Sequence, residues 1–198
     1  MLQFIAQTND RYSVEETVQM AIEGGCRWIQ LHLPELSDDD IKAIAPDIIA
    51  LCKESAAFLM IEDRPELAKE LGLHGVHVKN ITDRSAAKIR EELGPEAVIG
   101  VDVASAAAVM ALRSADIDYV TLPSDMRAGE IAELVSTVRD AGIETPIVAT
   151  GDITPEDALI YMAAGVSGIA TGRPLIEAHD PVKEVELMLD TLNGKLSD

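Results

Sequence analysis

The chain has 198 residues, of which 47% are hydrophobic and only 3% aromatic, and its 16 basic and 35 acidic residues give a net charge of -19. This length allows one domain, residues 1–198, with a full core built mainly from aliphatic side chains. So acidic a surface repels nucleic acid and anionic membranes, and neither is expected as a partner. A small anion can still bind where backbone dipoles converge.

Strand and helix patterns alternate along the whole chain. The predicted strands are Leu2–Ala6, Trp28–Leu33, Phe58–Glu62, Gly75–Lys79, Val98–Val103, Tyr119–Leu122, Ile147–Thr150 and Gly168–Thr171. The predicted helices are Val14–Glu23, Asp38–Glu54, Pro65–Leu71, Ser85–Leu93, Ala104–Ser114, Glu130–Ala141, Pro155–Ala164 and Val182–Leu192. Pro46 predicts a break or kink in the second of these helices.

Eight strand–helix units favour an α/β fold in which a parallel sheet closes into a single (β/α)8 barrel, the TIM barrel. A doubly wound open sheet is the alternative. It is disfavoured because no glycine-rich dinucleotide-binding turn follows the first strand. Cys26 and Cys52 lack the spacing of a metal or redox motif and are expected to be buried thiols. The chain shows neither a secretory leader nor a membrane span, so we expect a cytoplasmic protein.

The last two predicted strands end in glycine, at Gly151 and Gly172, with a well-capped helix between them. Barrels of this class bind phosphate at these two loops, because glycine lets backbone N–H groups approach the oxygens. We therefore predict that a small phosphorylated metabolite binds near Gly172 and Arg173, next to Gly151 and Asp152. The alternative for Arg173 is a salt bridge to Asp152.

The other strand ends form a polar and mostly acidic ring, which is where barrel chemistry takes place. Its predicted members are Gln7, Gln30, His32, Glu62, Asp63, His77, Lys79, Asp102, Ser124 and Asp152. The carboxylates could converge on a divalent cation, or they could be ordinary helix caps. Both interpretations stay open for Asp63. Without a metal, crowded carboxylates should repel one another and raise the pKa of at least one member.

Several of these strand ends resemble the thiamine-phosphate synthase family, which includes a branch of thiazole tautomerases. The similar segments are Ile29-Gln30-Leu31, Ile61-Glu62-Asp63-Arg64 followed by Leu67-Ala68, Gly75-Val76-His77-Val78, and Val148-Ala149-Thr150-Gly151-Asp152-Ile153. They occur in the family's order at suitable spacing and cover most of the chain.

The resemblance implies a transferase that joins a hydroxymethylpyrimidine diphosphate to a thiazole phosphate with the help of Mg²⁺. It implies that Gln30 holds the pyrimidine, that Asp63 binds Mg²⁺, and that the backbone at Gly151 and Gly172 holds the thiazole phosphate. Asp83, one residue beyond the family's second metal position, is the second candidate metal ligand. Lys79 is a further candidate for substrate binding. The family likeness also implies a homodimer.

The sequence departs from the family at the positions that carry charge. His32 and Pro34 stand where the family has Arg and Lys, and Asp102 replaces a Ser. His32 and Asp102 are therefore the candidate catalytic residues of this chain. Because cations are lost and carboxylates gained around the diphosphate, we expect weak or altered synthase activity. The alternatives are a non-catalytic barrel that binds a metabolite or a protein partner, and a divalent-metal enzyme of different specificity.

Overall fold

The computed structural model describes residues 1–79 and 81–195 and shows eight parallel strands closed into a barrel in chain order. The strands are β1 (Leu2–Ala6), β2 (Trp28–Leu31), β3 (Phe58–Glu62), β4 (Gly75–Val78), β5 (Val98–Asp102), β6 (Tyr119–Leu122), β7 (Ile147–Thr150) and β8 (Gly168–Thr171). This confirms the predicted (β/α)8 architecture. β2, β4 and β5 are one or two residues shorter than predicted.

The helices surround the barrel. They are α1 (Val14–Glu23), α2 (Asp38–Glu54), α3 (Pro65–Leu71), α4 (Asp83–Leu93), α5 (Ala106–Ala111), α6 (Ala128–Asp140), α7 (Pro155–Ala163), α8 (Arg173–Glu177) and α9 (Pro181–Leu192). Of the predicted break or kink at Pro46, the break is wrong, because α2 continues through that residue, and the kink stays a prediction. Pro46 is exposed, so the carbonyl that loses its helical partner there lies on the solvent side, where water can replace the missing N–H.

Alternate strand residues face opposite sides of the barrel wall, as strand geometry requires. The outward side chains pack against the helices in the main aliphatic core, which includes both cysteines, Cys26 and Cys52. Their predicted burial is confirmed, and burial raises the pKa of the Cys52 thiol to about 11. Among the described residues, no helix combines the length and the apolar character needed to cross a membrane.

A second, smaller cluster fills the inside of the barrel around Met60, Tyr119, Val148 and Ala170. Tyr119 is the bulkiest inward side chain of β6, and in the sheet register it lies directly beside Gly100 of β5. A Cβ atom at Gly100 would lie 2.1 Å from Cζ of the Tyr119 ring. Glycine at position 100 is therefore what leaves room for a tyrosine inside so narrow a barrel.

We predict that Gly100→Ala destabilises the protein by about 1–3 kcal/mol, because the added methyl group overpacks the barrel and displaces Tyr119. The matched control is Gly129→Ala in α6, where a Cβ atom meets nothing within 4 Å and alanine favours the helix. Chemical denaturation of both variants provides the measurement. Equal stability of Gly100→Ala and the parent protein would contradict this account of the barrel interior.

Candidate functional site

The pocket at the carboxyl ends of the strands, called the main pocket because all eight strands or their loops line it, has a volume of about 450 Å³. All eight strands or the loops that follow them contribute to its wall. The lining residues are Gln3, Ile5, Gln7, Gln30, His32, Glu62, His77, Asp102, Thr121, Thr150, Gly151, Asp152, Ala170, Thr171, Gly172 and Arg173. This pocket therefore lies at the strand ends, where the sequence predicts the site.

His32 and Glu62 form one charged pair at the rim. His32 follows β2, Glu62 ends the neighbouring strand β3, and Nδ1 of the imidazole lies 2.6 Å from the carboxylate. The ammonium of Lys79 approaches the same carboxylate oxygen to 3.2 Å. Burial opposes ionisation of Glu62, but these two partners outweigh it and hold the pKa of Glu62 below its ordinary value.

Asp63 lies beside this pair and holds the backbone of the fourth loop. One of its carboxylate oxygens accepts a hydrogen bond from the N–H of Lys79 at 2.9 Å, and the other lies 3.4 Å from the Lys79 ammonium. Its φ of 54° places it in the left-handed region, which Asp tolerates better than most residues. The helix-cap alternative for Asp63 is wrong, since Arg64 occupies the N-cap position of α3.

Asp102 and His77 form the second pair, deeper in the pocket. Nε2 of the imidazole lies 2.8 Å from the Asp102 carboxylate, which also accepts a hydrogen bond from the Thr121 hydroxyl. Burial opposes the ionised form of Asp102, but the hydrogen bonds from His77 and Thr121 outweigh it, so the pKa of Asp102 lies below its ordinary value. His77 is buried and fully engaged, as expected of a core histidine.

The third pair joins the seventh and eighth loops. Nε of Arg173 donates to the Asp152 carboxylate at 3.0 Å, and a second guanidinium nitrogen bonds the other oxygen. The salt bridge considered for Arg173 is therefore present. The N–H of Gly151 donates to the carbonyl of Ala170 at 3.2 Å, so it serves the sheet. A Cβ atom at Gly172 would lie 2.0 Å from the Ile5 carbonyl oxygen, which explains glycine there.

Seven of the ten predicted site residues come together, two lie beside them, and the side chain of one falls outside the described part of the chain. Gln30, His32, Asp102, Gly151, Asp152, Gly172 and Arg173 all line the main pocket. Asp63 and Lys79 instead line a small adjoining pocket of about 90 Å³. Asp83 begins α4, and its side chain lies outside the part of the chain that the structure describes.

Sequence reasoning missed Gln3 and Thr121 in the pocket wall, and it missed Tyr119, which lies close behind Gln3. Each lies within a strand, whereas only the strand ends were considered. The missed signal was the position of the polar residues within the strands. Every second residue of a barrel strand faces the interior, so in Gln3-Phe4-Ile5-Ala6-Gln7 the two glutamines lie on the same inward side.

The carboxylates of the acidic ring are thus paired with basic side chains of the chain itself. Glu62, Asp63, Asp102 and Asp152 each have a histidine, lysine or arginine partner. The predicted rise in pKa is wrong for Glu62 and Asp102, because the pKa of each lies below its ordinary value. Within residues 1–79 and 81–195, no group of three or more acidic, histidine or cysteine side chains is arranged to hold a metal ion.

Comparison with known proteins identifies the scaffold. Residues 2–175 match the family model described as thiamine monophosphate synthase. The chain belongs to this family. It is 34% identical to a thiamine-phosphate synthase of Bacteroides fragilis, over 96% of this chain and 98% of that protein. It is also 34% identical to a thiamine-phosphate synthase of Bacteroides thetaiotaomicron, over 96% of each chain.

The fold comparison agrees with the family assignment. The thiamine phosphate pyrophosphorylase of Pyrococcus furiosus superposes with a TM-score of 0.83 at 23% identity, covering 99% of this chain and 96% of that one. At this identity the superposition shows the shared barrel. The resemblance seen in the thiamine-phosphate synthase motifs of the sequence is confirmed by the family model.

We predict that Glu62→Gln lowers the free energy of unfolding by about 1 kcal/mol near pH 7, the value of a charged hydrogen bond reduced by solvent screening. The folded-state pKa of Glu62 is lowered, so ionised Glu62 stabilises the fold above its unfolded pKa of about 4.3 and loses that effect as the pH falls through the folded value. The difference between variant and parent should therefore disappear in acid.

Urea denaturation at a series of pH values measures this difference, with Glu133→Gln on the exposed side of α6 as the matched control. The control should change stability little at any pH. A Glu62→Gln effect that is independent of pH would show that His32 and Lys79 do not stabilise the ionised form.

Proposed function

We propose that this member of the thiamine monophosphate synthase family binds a small phosphorylated ligand, such as a thiazole phosphate, between the loops after β7 and β8. We further propose that it couples a pyrimidine diphosphate only weakly. The observation that carries the proposal is the pairing of the basic side chains at the mouth (His32, Lys79 and Arg173) with carboxylates of the chain itself.

The loops after β7 and β8 suit a single phosphate group. Arg173 presents a guanidinium fork, which matches the geometry of phosphate as well as that of carboxylate. The Arg173 and Asp152 side chains are both more than half exposed, so their ion pair contributes little and an incoming phosphate can displace Asp152 at low cost. Gly151 and Gly172 line the same pocket, and glycine lets loop backbone approach phosphate oxygens closely.

A diphosphate faces a harder electrostatic problem. It carries several negative charges, and the carboxylates of Glu62, Asp102 and Asp152 line the same pocket. Each unscreened like-charge contact costs on the order of 1 kcal/mol, and the cations that could offset it are already neutralised. This arrangement supports weak coupling of the diphosphate substrate.

Mg²⁺ would supply the missing positive charge if it bound with the diphosphate, and Asp63 is the described residue best placed to contact it. Both oxygens of Asp63, however, lie close to Lys79, through its backbone N–H and its ammonium. The described residues do not fit a preformed Mg²⁺ site. A role for Mg²⁺, the cytoplasmic location and the homodimer stay predictions.

We predict that the purified protein forms thiamine phosphate from the pyrimidine diphosphate and thiazole phosphate about 10²–10³ times more slowly than a synthase with its full set of charges, because one lost charge contact has that effect. The Bacteroides thetaiotaomicron relative, assayed in parallel with Mg²⁺, is the reference. Thiazole phosphate alone should raise the melting temperature.

Arg173→Ala should remove that stabilisation, whereas Arg113→Ala, an exposed arginine beyond α5, should preserve it. Turnover equal to that of the reference protein would contradict weak coupling. The absence of any stabilisation by thiazole phosphate would contradict the phosphate site, and binding without turnover would indicate the non-catalytic alternative.

The His32–Glu62 pair supports a second candidate function, which is proton transfer on the bound ligand. In the neutral imidazole, Nδ1 donates its hydrogen to Glu62 and leaves the Nε2 lone pair as a base. Among the described residues, Nε2 has no hydrogen-bond partner, and His32 lines the pocket. Glu62 would stabilise the imidazolium that forms when Nε2 accepts a proton from the ligand, and the same nitrogen can return that proton.

If this second function is real, the protein should exchange an acidic C–H hydrogen of a bound phosphorylated heterocycle with deuterium from D₂O, which NMR detects directly. His32→Asn should slow the exchange about 10²–10⁴-fold, the usual contribution of a general base. His179→Asn, at an exposed histidine between α8 and α9, is the control. Exchange that is unaffected by His32→Asn would rule out this histidine as the base.

A further inference from the structure

The ammonium of Lys79 lies between two carboxylates at the edge of the mouth. Its Nζ is 3.2 Å from Oε2 of Glu62 and 3.4 Å from Oδ2 of Asp63. The Glu62 side chain is only 13% exposed, so solvent screens this contact less than it screens a surface ion pair. In the part of the chain that the structure describes, the other ion-paired lysines each contact a single carboxylate. Lys79 thus places one positive charge where two negative charges meet.

The main chain fixes one of these carboxylates in position. The N–H of Asp63 donates to the carbonyl of His77 at 2.7 Å, which extends the pairing of β3 with β4 by one step. Oδ1 of Asp63 then accepts from the N–H of Lys79 at 2.9 Å. Both hydrogen bonds use main-chain groups at positions 77 and 79, which would remain with another side chain at position 79. The second oxygen, Oδ2, is therefore presented to whatever cation lies beside it.

Two carboxylates are also enough protein ligands for a divalent cation. Mg²⁺ is usually bound by one or two carboxylates and keeps several of its waters. The family resemblance implies that Asp63 binds Mg²⁺. In this chain, however, one oxygen of Asp63 is used by the main chain and the other faces an ammonium. A divalent cation between Glu62 and Asp63 would be repelled by the charge of Lys79, so these residues do not fit the implied metal.

A lysine at this position supplies part of what the metal would supply. Its ammonium is compact, carries three hydrogen-bond donors and is protonated at neutral pH. Because it is covalently attached, its presence does not depend on the concentration of any metal. It brings one positive charge, whereas Mg²⁺ brings two, and so less charge is available beside a bound diphosphate.

We propose that the ammonium of Lys79 takes the place of a divalent cation between Glu62 and Asp63, so that this chain carries its own cation there and excludes Mg²⁺ from that position. The disagreement with the metal implied by the family resemblance is then a property of residue 79. The inference does not rest on the proposed function, because it concerns the binding of a metal ion alone.

Removal of the ammonium should create the metal site that Lys79 blocks. Lys79→Gln keeps the main-chain N–H that holds Asp63 and removes the charge. Mn²⁺ is the probe, because it takes the same oxygen ligands as Mg²⁺ and its free ion is measured directly by EPR. We expect Lys79→Gln to bind one Mn²⁺ at least about tenfold more tightly than the parent protein does. Titrations at about 0.15 M KCl screen the general attraction of the net charge of -19.

Two further variants identify the ligands. Lys88→Gln is the matched control, since it removes the same charge from a lysine of α4 that contacts only the Glu92 carboxylate. It should bind Mn²⁺ no more tightly than the parent protein. Asp63→Asn, combined with Lys79→Gln, should abolish the added site because it removes one of the two carboxylates.

Equal Mn²⁺ affinity in Lys79→Gln and the parent protein would overturn the inference, and so would an added site that survives Asp63→Asn. The parent protein alone provides a second measurement, which still decides if Lys79→Gln does not fold. Its melting temperature should be the same in MgCl₂ as in KCl of equal ionic strength. A specific stabilisation by Mg²⁺ that is lost in Asp63→Asn would show that the metal binds despite Lys79.

Discussion

The closed parallel barrel places every second strand residue in a narrow interior. Any polar side chain there must find a partner inside the barrel, since an unpaired buried group is costly. Gln3, Gln30, His77 and Tyr119 solve this by bonding one another in a single connected chain. The chain depends on Gly100, whose missing side chain makes room for the tyrosine ring. Packing in this layer therefore decides what the pocket floor offers to a ligand.

The charged side chains at the mouth also need partners. Leaving them unpaired costs less free energy there than in the interior, because solvent is nearby. The carboxylates of Glu62, Asp102 and Asp152 would repel one another if they were bare. Each instead has a cationic or histidine partner from a neighbouring strand or loop. The strand-end residues that make the mouth mostly acidic in the sequence are thus paired in the structure with basic or histidine side chains. This pairing underlies the proposed preference for a small, singly phosphorylated ligand over a diphosphate.

Family membership identifies the scaffold of this protein, whereas the chemistry of the site depends on its individual side chains. The match over residues 2–175 identifies the barrel and its thiamine-phosphate synthase ancestry. The chemistry depends on side chains at the strand ends, and barrels of one family vary there. His32 and Glu62 form a hydrogen-bonded acid–base pair, which is an arrangement suited to moving a proton. The scaffold and the reaction can therefore be tested independently.

The sequence by itself determined the eight strand–helix units, the closed sheet, and the glycine-ended loops at Gly151 and Gly172, because hydrophobic period and caps are local signals. It also placed His32 and Asp102 at the mouth. Only the tertiary structure decided that Asp63 holds the Lys79 backbone and that Gln3 lines the pocket. The physical reason is that these features depend on strand register and on partners that lie far apart in the chain, which no local pattern encodes.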